Sequence, residues 1–281
     1  MPTRDNHYLH IFRAKFIVVA ILTGFVLASV SCGERSQRRV LVVGSTSVQP
    51  FAEVVAHHFT ESHPEIRVDV QGGGSTAGIR VVRESACDIG ASSRGLKEGE
   101  GEGLEQYVMA LDGIAVIVHC DNPVDDLTHE QARQIFEGAI RDWSEVGGKP
   151  GPIYPLSRED GSGTFGAFRK LVMGGRRTAQ DQLVFNSNGA IRETVSGDPA
   201  FVGYISLGLV NERVKALKIN GVFPTNETIT NGTYPFVRPF LLLTKGKASK
   251  EVGEFLDYVL GPEGQQLLEE EGLTKAMKVA D

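Results

Sequence analysis

Three stretches of this chain set hydroxyl side chains beside glycine where an expected strand turns into an expected helix. They are "GSTSVQPF" from Gly44, "GGGSTAGI" from Gly72, and "REDGSGTFGAF" from Arg158. The first carries Ser45, Thr46 and Ser47, the second Ser75 and Thr76, and the third Ser162, Gly163 and Thr164. One such junction reads as helix capping, because Ser and Thr side chains accept hydrogen bonds from the free N–H groups of a first turn. A helix start also presents those N–H donors and a positive dipole end to an anion. Glycine lets a backbone approach a ligand closely, and successive N–H groups form an anion nest. Three such junctions in one chain, one led by Arg158, point past capping to an oxyanion site.

Enzymatic patterns on the same loops are not met. No G-x-x-x-x-G-K-[ST] run exists, Gly72 and Gly74 are followed by Gly78 rather than by a dinucleotide spacing, and the flanks of Ser162 do not form a nucleophile elbow. Beside the glycine-rich loops the only acid–base candidates are Glu159 and Asp160, so a phosphohydrolase lacks a nucleophile and base pair. His57 and His58 are adjacent and face different sides of a helix, and no metal site is expected. No cofactor is expected.

Alternating patterns place these loops. "VLVVG" from Val40 reads as a strand, Pro50 to Glu61 as a helix, Ile66 to Gly74 as a strand, Ser75 to Ala86 as a helix, and "CDIGASS" as a short strand. Gly95 to Glu105 reads as an exposed Gly/Glu loop. A long apolar strand covers Met109 to Val124, a capped helix Thr128 to Gly138, and a strand–loop–helix unit Pro152 to Gly174. An apolar strand covers Arg238 to Gly246, and a helical stretch broken at Gly261-Pro262 covers Ser249 to Leu273. Strands alternating with helices indicate an α/β fold with a largely parallel sheet.

The first residues differ from the rest. Arg4, Arg13 and Lys15 precede a fifteen-residue run, Phe16 to Val30, that ends in small residues before Cys32. This is the pattern of a signal peptide, and it is short for a membrane span. Residues 1–31 are expected to be removed. Cys32 directly after this run resembles a bacterial lipoprotein cleavage site, although Ser29 stands where a larger residue is usual. Residues 32–39 read as a tether.

The 281-residue chain is 41% hydrophobic and 23% charged, ordinary for a globular protein. Residues 1–31 hold three of its 29 basic and one of its 35 acidic residues, so the remainder carries 26 against 34, a net charge of −8. That balance argues against a nucleic-acid partner. An anion must be held by local donors against the overall field. Cys87 and Cys120 could pair in an exported protein, but nothing in the sequence brings them together.

"GSTSVQPFAE", "QGGGSTAGI", "CDIGASSR", "SREDGSGTFGAF" and "GYISLG" resemble, in order and spacing, the phosphate-binding subunit of bacterial phosphate ABC transporters, the PstS family. The resemblance runs from about Val40 to the C-terminus. It implies a type II periplasmic-binding-protein fold: two α/β lobes joined by two hinge crossover strands, with the ligand between them. Lobe one would be residues 40–118 and 238–281, and lobe two residues 119–237. The phosphate ligands it implies are Thr46, the backbone at Ser47, Ser75, Arg158, Ser162, Gly163 and Thr164. Ser93 stands where some members have an acidic residue that accepts the ligand's proton, so only a hydroxyl is available there.

The expectation is therefore a monomeric, lipid-anchored, extracytoplasmic receptor, not an enzyme. It would capture inorganic phosphate and hand it to an ABC permease in the membrane. A receptor for sulfate or molybdate on the same fold, and a phosphate-sensing or adhesive surface lipoprotein without transport, are the alternatives.

Overall fold

A computed structural model describes residues 37–276. The described residues from Arg38 on form one compact unit, and the description below concerns it. The expected signal segment and Cys32 lie outside the described residues.

The first part is built of β1 (Arg38–Gly44), α1 (Gln49–Ser62), β2 (Ile66–Gly72), α2 (Ser75–Arg83) and β3 (Ile89–Ser92). β1 pairs in parallel with both β2 and β3. α1 buries Phe51, Ala52, Val55, Ala56 and Phe59, the one-sided stripe that a 3.6-residue period lays against a sheet. The long strand β4 (Leu104–His119) follows. It starts five residues earlier than the apolar pattern alone suggests, because Leu104 to Tyr107 are drawn into the ladder with a later strand. It stops before Asp121-Asn122-Pro123, where proline cannot donate to a ladder.

Next come β5 (Asp126–Leu127), α3 (His129–Glu137), β6 (Tyr154–Arg158), α4 (Gly163–Leu171), β7 (Leu183–Phe185), α5 (Asn188–Gly197), β8 (Phe201–Ser206), β9 (Val214–Ala216), β10 (Lys218–Ile219) and α6 (Asn226–Thr230). α3 begins at a reciprocal capping box between Thr128 and Gln131. The chain returns along β11 (Val237–Lys245) and closes with α7 (Lys250–Leu260), α8 (Pro262–Glu270) and β12 (Thr274–Lys275). The break between α7 and α8 falls at Gly261-Pro262 as expected, with proline in the first turn of α8, where its missing N–H is tolerated.

Among the described residues one sheet runs β2-β1-β3-β11-β4-β8-β6-β7, with β9 and β12 also on β4. It is parallel at both ends, but β4 and β11 are antiparallel to each other and to their neighbours β8 and β3. These two strands carry the chain from one core to the other. Met109, Ala110, Phe240 and Leu242 pack in a first core with β1, α1, α7 and α8. Ile114, Val116, Val118 and Phe236 pack in a second core with α3 and α4. The changeover thus falls inside β4, between Ala110 and Ile114. On the return it lies between Phe236 and Phe240. The fold is a two-lobed α/β type II periplasmic-binding-protein architecture.

Candidate oxyanion-binding site

The three glycine–hydroxyl loops follow β1, β2 and β6, and they meet. Gly44 ends β1 with φ +152°, and a side chain there would collide with the carbonyl of Ala91 on β3. α1 has its N-cap at Val48 without a side-chain cap, and Ser45 instead closes the turn that precedes it. Ser45 Oγ accepts from the N–H of Ser47 at 3.1 Å and more weakly from that of Val48 at 3.4 Å. Thr46 and Ser47 do not cap the helix, and their hydroxyls turn to the opposite lobe. Arg158 Nη2 donates to Thr46 Oγ1 at 3.0 Å. Ser47 Oγ lies 2.7 Å from Thr164 Oγ1.

Ser75 opens α2 and is completely buried. Its Oγ accepts from the N–H of Ser93 at 3.0 Å, and Ser45 Oγ donates to Ser93 Oγ at 2.8 Å. Ser162 is the N-cap of α4, accepting from Phe165 N–H at 3.3 Å. Gly163 comes next and packs so closely on Ser75 and Ser93 that a side chain there would strike both hydroxyls. The N–H of Thr76 also donates to the carbonyl of Gly161 at 3.2 Å. Every residue expected to bind the ligand — Thr46, Ser47, Ser75, Ser93, Arg158, Ser162, Gly163 and Thr164 — therefore lies in one cluster where the lobes touch.

Arg158 is 2% exposed. Its backbone N–H donates to the Tyr204 hydroxyl at 3.1 Å. Tyr204 stacks on Phe168, and burial pushes its phenol up to about 12, so it stays protonated. Nε and Nη2 of Arg158 donate to the two oxygens of Glu159, each at 3.1 Å, and also to the carbonyls of Phe185 and Asn186. Nη1 is buried and has no hydrogen bond among the described residues. A buried guanidinium nitrogen left in that condition is costly unless something accepts from it.

Several members of the cluster are not evident from sequence spacing. Asn188 Nδ2 donates to Ser47 Oγ at 2.9 Å, and its Oδ1 accepts from Ser206 N–H at 3.3 Å. Ser206 Oγ donates to Asp112 Oδ1 at 2.8 Å. Arg238 Nε donates to Asp112 Oδ2 at 2.9 Å, and its Nη1 to Thr164 Oγ1 at 2.8 Å. Burial pushes the Asp112 carboxyl up, opposed by the charge of Arg238 and the Ser206 hydroxyl. Arg94, next to Ser93, turns away from the cluster and pairs with Glu100 at 2.6 and 2.9 Å. Asp160 is exposed. The carboxylate nearest the buried hydroxyls is therefore Asp112, not Asp160.

The hydroxyls share a polarity. Thr46, Ser75, Ser93, Ser162 and Thr164 each accept a hydrogen bond from an N–H or a neighbouring O–H. A hydroxyl carries one hydrogen; the Ser47–Thr164 and Ser75–Ser93 contacts use at most one hydrogen per pair, so each pair keeps one for a ligand. Donors surrounding buried guanidinium nitrogens are suited to an anion rich in oxygen acceptors. Among the described residues no group of three or more His, Cys, Asp or Glu side chains could hold a metal ion, and no helix is long and apolar enough to cross a membrane.

The model of the PBP superfamily domain matches residues 30–263. The phosphate-binding protein PstS of Bacillus subtilis (strain 168) is 30% identical over 265 residues, covering 87% of this chain and 88% of that protein. A crystal structure of a phosphate ABC transporter substrate-binding protein from Clostridium perfringens, with bound phosphate, superposes with a TM-score of 0.83 at 38% identity, over 85% of this chain and 100% of that one. An ABC-type phosphate transport receptor from Vibrio cholerae superposes with a TM-score of 0.73 at 36% identity, over 84% of this chain and 100% of that one. Buried hydroxyl donors between two lobes, and these relatives across most of the chain, agree: the chain belongs to the PBP superfamily and, within it, to the PstS family of phosphate-binding proteins.

Proposed function

We propose that this protein captures inorganic phosphate between its lobes and delivers it to an ABC permease. The observation that carries the reading is Arg158: a buried guanidinium whose Nη1 has no hydrogen bond among the described residues, within a cluster of hydroxyls that keep hydrogens to donate. The relatives named for phosphate binding support the ligand. The ligand set is Thr46, Ser47, Ser75, Ser93, Arg158, Ser162, Gly163 and Thr164. β4 and β11 act as the hinge, so the two sets of loops separate to admit phosphate and meet around it.

The protein acts as a monomeric receptor without catalysis. Asp112 and Glu159 are each engaged by an arginine, which leaves neither free to serve as a general base. Residues 1–31 are a signal peptide, and Cys32 carries a lipid that anchors the protein outside the cytoplasm.

Calorimetry of the full chain with phosphate, sulfate and molybdate tests the ligand. One phosphate per chain is expected, with no phosphate released from phosphate monoesters. Absence of heat with phosphate, or tighter binding of another oxyanion, would refute it. For the anchor, wild type is expected to fractionate with membranes and take up a fatty-acid label, and Cys32→Ala to do neither. A soluble, unlabelled wild type would remove the anchor and leave the ligand assignment intact.

A further inference from the structure

Asp112 on β4 and Arg238 on β11 stand directly opposite each other in the antiparallel register, on the two strands that cross between the cores. They are 1% and 2% exposed. As a staple between strands such a pair has little to recommend it, because replacing a buried ion pair by apolar side chains is often neutral or stabilising. The contacts of Arg238 also extend beyond Asp112. Nη1 is directed away from the carboxylate, to Thr164 Oγ1 at 2.8 Å and to the Ser93 carbonyl at 3.2 Å. Ser93 follows β3 of the first lobe, and Thr164 belongs to α4 of the second. Nη2 lies 2.8 Å from Asp112 Oδ2 but is not aligned for a hydrogen bond, and it has no other partner among the described residues. Charge alone holds it there. The Phe240 ring lies 5.2 Å from the guanidinium carbon and supports its plane.

Arg158 and Arg238 bear on different hydroxyls of the one cluster. Arg158 reaches Thr46, and Arg238 reaches Thr164, which touches Ser47. The positive charge of Arg158 works against that of Arg238. Two buried cations that repel each other, each with one nitrogen outside any hydrogen bond, are best reconciled by an anion that both can reach. Arg238 also sets a proton. Thr164 Oγ1 accepts from Arg238 and Ser47 Oγ accepts from Asn188. The two hydroxyls need only one hydrogen between them, and the other is left for a ligand.

We infer that Arg238 is a second cationic contact for the bound oxyanion, opposite Arg158, and that Asp112 is its positioning residue. This rests on the phosphate reading above and adds a ligand contact from the hinge itself. Calorimetry with inorganic phosphate on the full chain tests it, comparing wild type, Arg238→Lys and Arg238→Gln, together with the melting temperature of each without ligand. Arg238→Lys is expected to bind at least about tenfold more weakly while melting within a few degrees of wild type, and Arg238→Gln more weakly still. A strand staple without ligand contact predicts the reverse: a lowered ligand-free melting temperature with phosphate affinity within about twofold, and that result overturns the assignment. Should neither variant fold, wild type decides alone. The guanidinium 15N signals of Arg238 must shift on adding phosphate, and unmoved signals overturn the assignment. Wild type binding no phosphate would sink the functional reading and this contact together, an outcome distinct from wild-type binding that Arg238 variants leave intact.

Discussion

The hydroxyl of Ser93 accepts from Ser45, which leaves its own hydrogen to donate. Phosphate near neutral pH still carries a proton and sulfate does not, so an acceptor in the site would favour phosphate, and Ser93 in this state is a donor. Ser93→Ala is expected to weaken phosphate by roughly one hydrogen bond, about 0.5–1.5 kcal/mol. Ser93→Asp supplies an acceptor with no proton to give and is expected to raise the phosphate-to-sulfate affinity ratio. Titration of both anions against wild type and both variants checks this, and one ratio shared by all three would exclude Ser93 from selectivity. Arg158 is the larger contributor. Arg158→Ala is expected to cost about 2–5 kcal/mol of phosphate binding, the range for one partner lost from a buried charged hydrogen bond. Arg158→Lys is expected to recover only part of it, because a lysine cannot reproduce the planar fork that serves Thr46, Glu159 and two carbonyls together. Binding by Arg158→Ala within about twofold of wild type would assign Arg158 to the scaffold.

At the level of elements, the loop between β3 and β4 is exposed over most of its length, as expected, but is tied down at one point. Gly95 to Glu105 has the composition of a free exposed loop, yet Glu100 takes two hydrogen bonds from Arg94, whose side chain is 5% exposed, and one from Lys97 N–H. Arg94 lies directly after Ser93, so this pair anchors the end of β3 beneath the site. The hydrogen bonds from Arg94 hold the Glu100 carboxyl below the usual glutamate range. A carboxyl held lower in the folded state stabilises the fold above its unfolded value and ceases to do so as pH falls through its folded value. Glu100→Gln is therefore expected to lower the melting temperature at neutral pH, with the gap to wild type closing on acidification below about pH 4, the unfolded range. A gap of constant size across that titration would mean that the pair contributes through packing rather than charge.

The molecule as a whole is held closed by direct bonds between loops of the two lobes: Ser47 to Thr164, Asn188 to Ser47, Arg158 to Thr46, and Thr76 N–H to Gly161. A ligand bound among them engages both lobes, so its effect should be global. Phosphate at 100 times its dissociation constant is expected to add about 2.7 kcal/mol of stability, read as a rise in melting temperature. Hydrogen exchange should slow together in the loop after β1 and the loop after β6. Protection confined to one of these loops would show that phosphate docks on a single lobe without closing the cleft.

Much of this was legible in the sequence, and for a local reason. A strand-to-helix turn is specified within a few residues, so glycine followed by hydroxyls at three junctions, and Arg158 four positions before Ser162, could be recognised without knowing what lay opposite. Other features depended on pairings far apart in the chain. Asn188 meets Ser47 across 141 residues, and Arg238 meets Asp112 across 126. A trace of the second pair is present in the sequence: a lone acid in "MALDGIAVIV" and a lone base opening "RPFLLL", two charges in strands otherwise too apolar to leave either unpaired. That they answer each other, and that Nη1 of Arg238 reaches Ser93 and Thr164, follows only from the antiparallel register of β4 on β11. A shift of one residue would turn these side chains to the other face of the sheet.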